Sequence, residues 1–197
     1  MKRKAGIIFM VIGIMLIGCA VGLLIYNKNE NMKARESSVE IMESVRAVIS
    51  EKETAEAADP FDEEMTVKDI DGYGYIGYLS VPVLDIDLPV MSEWDYDRLK
   101  ISPCRYYGST KTDNLVIAGH NYDSHFGYLG ELKPGDSVIF MDMDAVVHNY
   151  KVDSVELLMP TDVDKVKDSG DDLIIYTCTY SRTKRITVRC NRMQQVS

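Results

Sequence analysis

Thiol and imidazole chemistry have little material in this chain, which holds four cysteines and three histidines in 197 residues. The cysteines, at 19, 104, 178 and 190, show no paired spacing, which excludes a disulfide framework and a CxxC zinc signature. The sequence gives no reason to expect a Cys104–Cys190 bridge. Positive charge is also scarce: all 31 acidic residues lie beyond residue 27, with 19 of the 22 basic ones, so that part stands near −12. Such a surface excludes nucleic acid as a partner. Repeats with a period of roughly 20–50 residues and low-complexity runs are absent.

What is present begins with an uncharged run of 23 residues, Ala5 to Asn27. A helix rising about 1.5 Å per residue needs about 20 residues to cross a hydrocarbon core of about 30 Å, so the run is long enough to span a bilayer. Lys2, Arg3 and Lys4 precede it, and the positive-inside rule places that end in the cytoplasm and the rest outside. A cleaved signal peptide is disfavoured, because the run exceeds the usual apolar region and no A-x-A-like site follows. Leu16 to Cys19 match a lipoprotein processing box, but Ala20 to Ile25 remain apolar, so Cys19 reads as a membrane-helix residue. Residues 1–27 are thus a cytoplasmic tip and signal anchor.

Lys28 to Asp59 is rich in Glu, Lys, Ala and Ser, with Val39, Met42, Val45 and Ile49 on one helical stripe. The stripe is narrow, so residues 28–72 read as a juxtamembrane helical stalk, which ends near Asp59–Pro60, followed by a linker. Self-association, or docking along the following domain, are the other uses of such a stripe.

Residues 73–197 suffice for one domain. Strands are expected at Tyr75–Val81, Ile86–Met91, Cys104–Tyr107, Leu115–Ala118, Ser137–Met141, Val147–Met159, Leu173–Thr177 and Arg185–Cys190. Eight strands joined by turns predict a mainly β fold, a closed barrel. Short helices are expected at Asp95–Lys100, near Phe126–Leu129 and at Asp162–Val166, with Trp94 packing the first.

The chemistry concentrates at Asp172–Arg192, DLIIYTCTYSRTKRITVRCNR. Cys178 stands where an apolar strand stops, which places its sulfur at a strand end. A second strand follows, with Arg185, Thr187 and Arg189 on one face, so at least one arginine returns beside the thiol. The missing base is best supplied by His120, which follows an apolar strand and a glycine in NLVIAGHN; an imidazole can take a thiol's proton or stabilise the thiolate. His148, in the alternating HNYKV, reads as an exposed strand residue, and His125 as a turn residue. Cys104 is the rival thiol. A metal site of His120, Asp123, His125 and Cys178 is disfavoured, since the mixture lacks ligand spacing.

The combination of IAGH, IIYTCTY and KRITVR resembles the sortases, membrane-anchored cysteine transpeptidases of Gram-positive bacteria. The resemblance covers residues 73–192 and includes GYLSVPVLDIDLPV, CRYYGS and LKPGDSVIF upstream. Three motifs in order are far more specific than one. It implies an eight-stranded β-barrel, with Cys178 as nucleophile, His120 as general acid/base and Arg185, matched in KRITVR, as oxyanion or substrate donor. Arg189 shares the face of Arg185 roughly 7 Å further along and is the runner-up, while Arg182, inside the turn, points to solvent. The resemblance also implies cleavage of a C-terminal LPxTG-like sorting signal on surface proteins through a thioester, and transfer to an amine of a cell-wall precursor or a pilin. No cofactor is implied, and calcium stimulation is not predicted. The chain departs from relatives in its short turn between Cys178 and Arg185. The 58-residue interval from His120 to Cys178 leaves little room for the long helix of class B, although GHN itself looks more like that class. A Cys/His hydrolase releasing free acid and a non-catalytic tethered binding domain are the competing classes.

Overall fold

Closure of the barrel depends on one strand that has neighbours along both edges. The computed structural model of the protein describes residues 2–52 and 64–193, so the expected stalk end at Asp59–Pro60 lies outside the described residues. Its elements are helix α1 (Lys2–Lys52), strands β1 (Lys68–Ile70), β2 (Tyr73–Val81), β3 (Ile86–Met91), β4 (Cys104–Tyr107), β5 (Leu115–Ala118), β6 (Ser137–Asp142) and β7 (Val147–Leu158), helix α2 (Asp164–Lys167), and strands β8 (Leu173–Cys178) and β9 (Arg185–Arg192). Around the ring the order is β2-β3-β4-β5-β8-β9-β7-β6, and β6 pairs back with β2. All eight expected strands are present and form this closed barrel.

A short ninth strand, β1, was not anticipated. It pairs with Tyr73–Tyr75 of β2, and β6 takes over from Gly77 onward on that strand. Gly77 is needed at the changeover: its φ is +143°, and a Cβ there would lie 2.0 Å from the Met141 carbonyl oxygen.

Two apolar clusters follow from the alternation of the strands. Ile76, Leu79, Val90, Leu115, Ile117, Phe140, Val152, Leu173, Ile175 and Val188 fill the barrel. A second cluster on the outer wall, with Tyr75, Met91, Cys104, Ala118 and Met143, is covered by Val45 and Ile49 of α1. The polar half of α1 therefore lies along the barrel. Its buried positions are Ala34, Ser38, Met42, Val45 and Ile49, an i, i+4 and i+3 series on one helical face. Val39, expected in that stripe, is 58% exposed, and Ser38 takes the inward place. Burial of each of Met42, Val45 and Ile49 contributes about 1.5–3 kcal/mol to docking. Arg46 adds an ion pair to Asp87 at 2.6 Å and lies over the Tyr78 ring.

The expected short helices are single turns: 3-10 turns at Arg98–Lys100 and Leu129–Glu131, and α2 at Asp164–Lys167, with a further 3-10 turn at Pro82–Leu84. Trp94 packs edge-on against Tyr96 and Tyr106, with centroids at 5.0 and 5.8 Å.

Candidate active site

Strand β8 lies between β5, which runs parallel to it, and β9, which runs antiparallel. Cys178 is the last residue of β8. The hairpin turn after it is closed by Thr179 N–H to the Lys184 carbonyl at 2.9 Å and by Arg182 N–H to the Thr179 carbonyl at 2.8 Å, with Arg182 left-handed and exposed at its tip. Six unbroken cross-strand pairs then set Cys178 opposite Arg185. The Arg185 guanidinium donates to Cys178 Sγ and lies 5.8 Å from the Tyr176 ring centroid.

Arg189 faces Ile174, four pairs away from the thiol. Its guanidinium is occupied by Glu156, Asp171 and the Lys165 carbonyl, so it ties β9 to β7 and to the connection carrying α2. That arrangement is structural and aimed away from Cys178.

On the other side, Ala118 of β5 pairs with Tyr176, so His120 and Cys178 each stand two residues beyond the same pair. Adjacent strands are about 4.8 Å apart, and the parallel register brings imidazole and thiol level. Two bonds hold this end: Gly119 N–H to the Tyr176 carbonyl at 3.0 Å, and Thr177 Oγ1 donating to the Gly119 carbonyl at 2.9 Å. Glycine precedes the histidine because a Cβ at 119 would come within 2.3 Å of the Phe126 ring.

His120 is half-buried, and this burial, with the nearby cations Arg182 and Lys100, lowers its pKa from the ordinary value against a smaller opposing effect of Asn121. The ring is accordingly neutral at pH 7. Nδ1 lies 3.4 Å from Asn121 Oδ1, and an N–H donated there leaves Nε2 free to accept. Tyr122 stacks on the imidazole at 4.2 Å, with the planes 1° apart. Sequence reasoning missed this partner, although it stands two residues on in GHNY.

His125 is placed as a core residue. It is 1% exposed, with Nε2 3.1 Å from Ser38 Oγ of α1, so it fastens the His120 loop to the helix. Burial pushes its pKa down to about 4. The folded state thus binds fewer protons than the unfolded one between about pH 4 and 6.5, and stability is lost as pH falls through that window, by an amount on the order of 3 kcal/mol. Thermal melts at pH 7 and 4.5 are expected to show this loss, and His125→Gln to flatten it. An unchanged pH profile in the variant would assign the effect elsewhere. His148, expected to be exposed, is instead buried and bonds through Nε2 to Asp142 at 2.7 Å across the β6–β7 turn. Its strand alternates inward with Tyr150 and Val152, and Asp142 satisfies the imidazole there.

The four cysteines are free. Burial pushes the thiols of Cys104 and Cys190 up to about 12, whereas Cys178 is partly exposed beside a guanidinium. Among the described residues, no group of three or more His, Cys, Asp or Glu is arranged to hold a metal ion. Beside Arg185 opens a pocket of about 210 Å³, walled by Trp94, Tyr106 and Tyr176 and by Met159, Pro160 and Val163 of the β7–β8 connection.

A closed eight-stranded barrel with a thiol, an imidazole and a guanidinium gathered at the ends of three adjacent strands is the arrangement found in one class of transpeptidases. The sortase domain family matches residues 79–193, more than half of the chain, and the protein belongs to the sortase family. Solved structures agree. Sortase C1 of Streptococcus agalactiae is 28% identical with a TM-score of 0.55, over 64% of this chain and 72% of that one. Sortase C of Streptococcus pneumoniae is 24% identical with a TM-score of 0.58, over 81% and 97%. The sortase D5 transpeptidase of Clostridium perfringens is 18% identical with a TM-score of 0.59, over 83% and 99%; these last two bear on the fold alone. Comparison with curated proteins found no match. The β7–β8 connection contains the single-turn α2.

Proposed function

We infer that the protein is a membrane-anchored transpeptidase that cuts an LPxTG-like C-terminal sorting signal and passes the acyl part to an amine. The observation that supports this reading is the level placement of His120, Cys178 and Arg185 at the ends of β5, β8 and β9 beside an aromatic pocket. That pocket suits apolar residues of an extended peptide, such as leucine and proline.

Cys178 acts as nucleophile: its thiol proton passes to His120 Nε2 as Sγ attacks the threonine carbonyl carbon. Arg185, on the thiol's own level, donates to the oxygen that becomes negative. His120 gives its proton to the departing glycine amine, and collapse of the tetrahedral species leaves a thioester on Cys178. An incoming amine attacks that thioester, His120 accepts its proton, and the tetrahedral species collapses with that proton passing from His120 to the departing Sγ, which restores the thiol and the neutral imidazole. No cofactor enters these steps. Acceptor amines of this chemistry include those of a cell-wall precursor and a pilin lysine, and the sortase C of S. pneumoniae is described in terms of pilin substrate specificity. The uncharged stretch of α1, the one described helix long and apolar enough to cross a membrane, holds residues 28–197 on the outer face, with Lys2 to Lys4 inside.

Product analysis tests this reading. With a sorting peptide and an added amine, the amide product is expected to dominate. Free acid regardless of amine would make the protein a hydrolase, and neither turnover nor selective thiol labelling would make it a binding domain.

A further inference from the structure

The parallel strands β5 and β8 both end at the same rim of the barrel, and the loop that leaves β5 meets α1 directly after its uncharged run. Asp123 N–H donates to Asn31 Oδ1 at 3.0 Å, and Ser124 Oγ to the Asn31 carbonyl at 3.3 Å. Asn31 is four residues beyond Asn27, about 6 Å along the helix. Tyr122 is in electrostatic range of Glu30 and Tyr26 of α1, and Tyr180, in the β8–β9 turn, of Asp123 and Tyr128. Tyr26, Tyr128 and Tyr180 are 62, 43 and 77% exposed.

The opposite end of the barrel is far from this level. Arg46, which pairs with Asp87, lies 19 residues beyond Asn27, about 28 Å along α1. Val83 sits four residues before Asp87 and is 61% exposed.

We propose that the rim bearing Tyr26, Tyr128 and Tyr180 is a lipid-contacting face that rests in the headgroup zone of the bilayer α1 crosses. The proposal rests on the anchor reading of α1 given above. Tyrosine suits this layer because its ring is apolar and its hydroxyl stays hydrated. The rim is continuous with the membrane segment, and Arg182 at the turn tip adds an exposed cation that complements lipid phosphate. The consequence for function is positional: the thiol and imidazole open at the lipid surface, where a substrate or acceptor that is itself membrane-tethered would be presented without leaving the bilayer.

The test uses the full chain in vesicles of three parts phosphatidylcholine to one part phosphatidylglycerol, with bromine high on the acyl chains. Tyr180→Trp, Tyr128→Trp and Val83→Trp are compared after subtracting the emission of the parent protein's Trp94. The tryptophans at 180 and 128 are expected to lose at least about half of their emission and shift to the blue, while the one at 83 stays unquenched. Membrane retention after alkaline carbonate washing with equal quenching at all three positions would overturn the rim contact alone. Extraction by that wash would overturn the anchor reading, and the proposal with it.

Discussion

Cys178→Ala is expected to lower transfer to less than about a hundredth of the parent rate while the barrel still folds, since the covalent step has no other acceptor. The side chain stands partly exposed at the end of β8, so its truncation leaves no large cavity. Cys104 and Cys190 are controls of a different kind. Both are 0% exposed, within the outer-wall and barrel clusters respectively, and neither thiol ionises near neutral pH. Their alanine variants should melt earlier, by about 1 kcal/mol or somewhat more, while each folded molecule turns over normally. Steady-state transfer per folded enzyme separates the two effects. Retention of substantial activity by Cys178→Ala would move the nucleophile elsewhere.

Arg185→Ala is expected to slow acyl-enzyme formation by about 10² to 10³, the loss that follows removal of one oxyanion donor. Lysine at this position should not restore the rate, because a point charge does not reproduce a planar fork able to serve Sγ and an oxyanion together. Arg189 offers the contrast. Its guanidinium is taken up by Glu156, Asp171 and the Lys165 carbonyl, and Asp171 is only 15% exposed at its side chain. Arg189→Ala therefore leaves a mostly buried carboxylate unpaired, and should lower stability and raise KM through the α2 connection, with under about a tenfold effect on acylation. Single-turnover kinetics decide between them: a larger loss at Arg189 would pass the oxyanion role to that residue.

The parts of the fold that the sequence foretold are those governed by local rules. Alternation and turn residues mark all eight barrel strands, and the six-residue turn after Cys178 fixes the hairpin register that sets Arg185 opposite it. Strand β1 escaped because Lys-Asp-Ile has no alternation of its own and gains its place by pairing with Tyr73–Tyr75. The docking of α1 was legible as a stripe but not as a destination, since an apolar face does not say what it covers. Ser38 replaced Val39 in that stripe for a reason 87 residues away, the buried His125 ring. His148 was misjudged on the same ground: an imidazole in an alternating strand reads as solvent-facing until Asp142 is placed beside it. Likewise, the His120 level follows from the parallel pairing of β5 with β8, a contact between distant segments that no local signal encodes.

The most direct test of the account is intact-protein mass spectrometry of the parent chain quenched in acid after brief exposure to a library of sorting peptides. A single added mass equal to the peptide's acyl part up to the threonine is expected, mapped by digestion to Cys178 and discharged by added amine. Cleavage of peptide with no adduct on Cys178, or an adduct mapped to another residue, would contradict it.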